Sequence, residues 1–131
     1  MSAIPQIKAN AAWVIDNFGP QSGIDPFAYT PASIEYVDGF LQRQEAMVRA
    51  SDASINKFVG LLGAYLGEAI IAKYGGEWQE KPNGIGIEIR TGSHVHFLQP
   101  FHKVHKRIVN GIEENLHAYF NQFIPAVIAT V

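Results

Sequence analysis

At Gly75-Gly76 the hydrophobic spacing of this chain changes period, and that switch confines the fold more than any other feature. Upstream, apolar residues recur every three or four positions. Downstream, Ile85, Ile87 and Ile89 alternate with Gly86, Glu88 and Arg90, and helical spacing then returns after Pro100. Helical stretches on both sides of a short alternating one build helices packed on a small sheet, an α+β domain.

Ile7, Ala11, Val14 and Phe18 predict a first amphipathic helix closing at Gly19-Pro20, followed by a turn-rich loop to Pro26. Thr30-Pro31 is a second helix start, a capping hydroxyl followed by a residue without an N–H. Ile34, Val37, Leu41 and Val48 form its stripe, with Tyr36, Phe40 and Met47 beside it. Glu35, Asp38, Arg43 and Glu45 face elsewhere, and the helix is expected to reach Ala50.

Ser51 or Asp52 caps a third helix reaching about Tyr74. Gly60, Gly63, Ala64 and Gly67 lie in it at i, i+3, i+4 and i+7, although each glycine costs about 1 kcal/mol relative to alanine inside a helix. Such a stripe predicts the close approach of another backbone, read as a neighbouring helix ahead of a bound ligand.

Residues 77–81, the alternating isoleucines and His94–Phe97 predict a three-stranded antiparallel meander, with turns at Pro82-Asn83-Gly84 and Thr91-Gly92-Ser93. Val95 and Phe97 are expected to face inward with Ile85, Ile87 and Ile89. Pro100 starts a fourth helix, its inner face Phe101, Val104, His105 and Ile108 and its outer face Lys103, Lys106 and Arg107, ending at Gly111. Ile112, Leu116, Phe120 and Phe123 predict a last helix closed before Pro125. The expected architecture is one helix-rich α+β domain over residues 1–131, with about five helices and the meander between the third and fourth.

Composition narrows the function classes. Ten Lys and Arg against twelve Asp and Glu give a net charge of −2, which offers no general attraction to nucleic acid or an anionic membrane. The absence of cysteine excludes disulfides, thiol catalysis and thiolate zinc sites, and suits a reducing cytoplasm. No basic region followed by an apolar stretch opens the chain. The apolar run Phe58–Ala72 carries Glu68 and is shorter than a bilayer requires. A chain of 131 residues builds a sufficient core without metal or cofactor, and none is implied.

Gly63-Ala64-Tyr65-Leu66-Gly67-Glu68, Gly75-Gly76-Glu77-Trp78, Pro100-Phe101, Lys103-Val104, Lys106-Arg107 and Gly111 together resemble an uncharacterised bacterial family of small domains of unknown function. The resemblance covers roughly residues 58–111. It implies a long helix running into a small sheet and then a helix with a Lys-Arg pair. Some of these domains occur near secretion or toxin–immunity systems, and the resemblance carries over no catalytic residue.

Three constellations remain. Four of the five histidines, His94, His96, His102 and His105, fall within twelve residues. His94 and His96 share a strand face, expected to be the outer one with Glu88 and Arg90, and His102 and His105 are helical neighbours. They read first as solvated strand residues and a partly buried packing histidine. The alternative is a divalent metal site through imidazole nitrogen, catalytic or structural. Glu68 reads as a structural carboxylate on the helix's exposed edge, or as a buried acid paired with Lys106 or Arg107. Lys103, Lys106 and Arg107, with Arg90, form a basic surface suited to a protein partner. The reading is therefore a non-catalytic protein-contact domain of adaptor, regulatory or immunity type, compatible with a homo-oligomer.

Overall fold

The computed structural model describes residues 2–129, so Met1 and residues 130–131 of the expected domain lie outside it. Helices α1 (Ile4–Ser22), α2 (Pro31–Arg43), α3 (Glu45–Val48) and α4 (Asp52–Tyr74) precede the sheet. Strands β1 (Glu77–Lys81), β2 (Gly84–Thr91) and β3 (His94–Leu98) form an antiparallel meander in that order. Helix α5 (Pro100–Asn110) and a 3₁₀ turn (Ile112–Glu114) follow. The chain closes with α6 (Leu116–Ala118), a π turn (Tyr119–Phe123) and α7 (Ile124–Ile128). The protein is thus a helix-rich α+β fold with the meander where the change of period places it.

The starts of the middle helices follow their capping chemistry. Thr30 Oγ1 accepts from Ser33 N–H at 3.2 Å, and Ser51 Oγ from Ser54 N–H at 3.0 Å. The second helix does not run unbroken to Ala50: Gln44 leaves the helical region and divides it into α2 and α3. Nor do prolines stop helices where expected. Helix α1 carries Pro20 in its last turn and closes at Gly23, whose φ of 75° supplies the left-handed cap. Pro125 lies inside the C-terminal segment, directly after the π turn. In a regular α-helix its ring would crowd the carbonyl four residues earlier, and the wider turn relieves that conflict.

Helix α4 is the hub of the core, with Leu62, Tyr65, Leu66, Ala69 and Ile70 all buried. It has the expected length, 23 residues, and by length and composition it alone among the described helices could cross a bilayer. Half of its apolar window is buried inside the protein, the pattern of a core helix. The small-residue stripe marks two close approaches. A Cβ on Gly63 would meet Phe101 of α5, 2.9 Å from its Cα, and one on Gly67 would enter the Trp78 indole of β1. Gly60 faces open space, and nothing in the structure explains it.

The sheet differs from expectation in the phase of β3. Thr91 pairs with His94, Ile89 with His96 and Ile87 with Leu98, so His94 and His96 share the face of the inward isoleucines. Val95 and Phe97 pair with Arg90 and Glu88 on the outer face, and Val95 is 50% exposed. The reason is the loop: only Gly92 and Ser93 separate the paired residues, and a two-residue hairpin keeps positions 91 and 94 on one side. Buried Leu98, not Phe97, completes the inner face beside Trp78, Ile87 and Ile89.

Candidate functional site

The basic triad of α5 divides in two. Arg107, expected on the outer face, is 3% exposed. Its Nε–H donates to Asp38 Oδ1 at 2.8 Å, and its Nη2 reaches Gln42 Oε1 at 3.2 Å. Asp38, expected to face away from the core, is buried on α2. It also accepts from the Leu116 N–H at 2.9 Å and from Asn115 Nδ2 at 2.9 Å. Every oxygen of that carboxylate is engaged, so the pair clamps α2, α5 and the start of the C-terminal segment. Helix α5 lies against α4 through Phe101, and that orientation turns position 107 inward.

Lys103 and Lys106 stay outside the clamp and converge on Glu114. Lys103 Nζ donates to Glu114 Oε2 at 2.8 Å, and Lys106 Nζ lies 3.7 Å from Oε1. The hydrogen bond from Lys103 holds the Glu114 carboxyl below its ordinary value of 4.5. It outweighs the opposing effect of burial, and the charges of both lysines add to it. Lys103 also stands 5.1 Å from the centre of the Tyr119 ring, in cation–π geometry, and only 12% of its side chain is exposed. Lys106 keeps 40% of its side chain in solvent.

The π turn places two aromatic rings beside these lysines. Tyr119 and Phe123 stack with centroids 5.4 Å apart and planes 16° off parallel. Burial pushes the Tyr119 phenol up to about 12. Phe123, expected on the inner face of the last helix, is 54% exposed, and Ile124 takes the buried position instead. The i→i+5 turn shifts the helical phase by one residue there, which helical periodicity could not foretell. Lys103, Lys106, Glu114, Tyr119 and Phe123 line an open cleft of about 540 Å³. The same lysines and rings border an adjoining hollow that reaches Leu98, His102 and Val127.

The other expected residues lie apart from this cleft or enter it singly. His94 and His96 stack with centroids 6.4 Å apart on the inner side of β3, and His96 Nε2 is 2.7 Å from Thr91 Oγ1. His102 borders the hollow, whereas His105, expected to pack inward, is exposed on α5. Among the described residues no group of three or more His, Cys, Asp or Glu side chains is arranged to hold a metal ion. Glu68 pairs with neither Lys106 nor Arg107. Its Oε2 accepts from Trp78 Nε1–H at 2.9 Å and its Oε1 lies 3.3 Å from Lys8 Nζ, which joins α1, α4 and β1. Burial, and secondarily the Glu68 charge, raise the phenol of Tyr29 above its usual value. Arg90 pairs with Glu88 at 2.9 Å on the sheet and does not line the cleft.

Asp38, Glu114 and Tyr119 are the site residues that sequence reasoning missed. Asp38 offered one signal, a charge directly after Val37 of the apolar stripe, but its partner is 69 positions away. No known family, curated protein or solved structure matches the chain.

Proposed function

We propose that this protein is a non-catalytic contact domain of adaptor, regulatory or immunity type, working in the cytoplasm, and that its contact surface is the cleft between α5 and the C-terminal segment. The observation that carries this reading is Phe123, a large aromatic ring more than half exposed, stacked on Tyr119 beside a lysine with a free outer edge. Rigid aromatic rings are the anchors of interface hot spots, and charged side chains sit at the rim around them. The buried charges support a structural assignment elsewhere: Arg107 and Asp38 satisfy each other, and Glu68 is held by Trp78 and Lys8.

The partner is a protein segment with an apolar or aromatic side chain to cover Phe123 and a carboxylate for Lys106. Selection from a random peptide display library tests this on the intact chain. Enriched sequences should pair an aromatic or aliphatic residue with Asp or Glu, and Phe123→Ala should lose them while Trp13→Ala, at another exposed aromatic, keeps them. Peptides that bind the Phe123→Ala protein as tightly as the parent would remove the cleft from consideration.

A further inference from the structure

The two edges of the sheet are built differently. Edge strand β1 carries Glu77, Gln79, Glu80 and Lys81, and Glu80 additionally accepts from the Ala3 N–H ahead of α1 at 2.9 Å. Charged side chains and a neighbouring segment are how natural sheets keep an edge from pairing. Edge strand β3 reads His94-Val95-His96-Phe97-Leu98, with no Asp, Glu, Lys or Pro. In a hairpin closed by two residues the closing pair is hydrogen-bonded. The pairs Thr91·His94, Ile89·His96 and Ile87·Leu98 therefore face β2, and the main-chain groups of Val95 and Phe97 point to the free edge. None of the described turn, cap or side-chain hydrogen bonds reaches those groups.

We propose that β3 is a self-association edge, on which a second copy of this chain adds antiparallel about a two-fold axis through His96. The occupant follows from charge. On the outer face Val95 lies in one cross-strand row with Arg90, and Phe97 lies in another with Glu88 and Glu77. A two-fold at Val95 would align Arg90 with its own copy, and one at Phe97 would align Glu88 with its own copy. The two-fold at His96 sets Val95 opposite the second copy's Phe97, so the cationic row of each chain continues into the anionic row of the other. It pairs the free main-chain groups of Val95 and Phe97 and covers the half-exposed Val95 side chain. Phe97 also lines the hollow beside the cleft, so the cysteine cross-link, which reads only the strand register, separates this proposal from that reading.

A five-residue edge gives a small interface, so the dimer is weak and depends on concentration. Light scattering on the intact protein should show its mass rising from one chain toward two as it is concentrated. The absence of cysteine permits a direct test of register. His96→Cys places two thiols across the axis at about 4.5 Å between Cα atoms, within disulfide reach, and should form a covalent dimer under mild oxidation. Val95→Cys leaves its Cα atoms about 8 Å apart, beyond disulfide reach, and should cross-link far more slowly. Arg90→Glu should weaken the dimer, and adding Glu88→Arg should restore it by exchanging the rows. A mass of one chain at every concentration, equal cross-linking of both cysteine variants, or no rescue by the double exchange would overturn the proposal.

Discussion

Arg107 and Lys106 are consecutive residues of α5 with the same charge, yet they belong to different parts of the molecule. Arg107 lies in a dry junction where its planar fork meets the Asp38 carboxylate and the Gln42 amide. Lys106 reaches Glu114 at 3.7 Å from a position open to water. A buried charge is tolerable only with a partner in close contact, whereas an exposed ion pair gains little and is screened by salt. One helix turn therefore supplies a structural cation and, next to it, one available for contact. Lys103 is intermediate, its ammonium group bonded to Glu114 and lying over the Tyr119 ring.

The most severe test of that difference is Arg107→Ala. It strands Asp38 in the core without its cation and should cost about 3–5 kcal/mol in denaturant unfolding. A cost near that of a surface substitution would erase the distinction. Arg107→Lys keeps the charge but not the fork, so it should lose roughly 1–3 kcal/mol and show that geometry matters beyond charge.

Lys103→Ala should cost about 1 kcal/mol, and its pH dependence is more telling than its size. Because Lys103 lowers the Glu114 carboxyl in the folded protein, that interaction stabilises the fold above about pH 4.5. It is lost as pH falls through the folded value. Between pH 5 and 3 the parent should therefore lose more stability than Lys103→Ala, and parallel curves would mean that Glu114 owes nothing to Lys103. Lys106→Ala should be the mildest, within about 0.5 kcal/mol, while still weakening capture of acidic peptides at the cleft.

Much of the fold was legible because it rests on local rules. Thr30 and Ser51 announce their helices through hydroxyl caps, Gly75-Gly76 ends α4, and the alternating isoleucines announce β2. The stripe of Gly63 and Gly67 foretells close packing, although one of its two neighbours is a strand tryptophan rather than a helix. The phase of β3 was misread because Val95 and Phe97 alternate with His94 and His96 equally well from either side, and the loop length settles the choice. At the candidate site, Lys103 and Lys106 were named from sequence. Arg107 faces the other side from the one its spacing suggests, and Phe123 turns outward because the helical phase shifts across the π turn, which sets it beside Tyr119.

What the sequence by itself determined is the order of the main helices and the three strands, though not the break at Gln44 or the π turn, since periodicity, caps and turn residues act over a few neighbouring positions. Only the tertiary structure decided which charges are buried and which side chains share the cleft. The Asp38–Arg107 contact closes a separation of 69 residues, and Glu68 finds Lys8 across 60. Such pairings depend on how whole helices pack around α4, and local chain spacing carries no record of that arrangement.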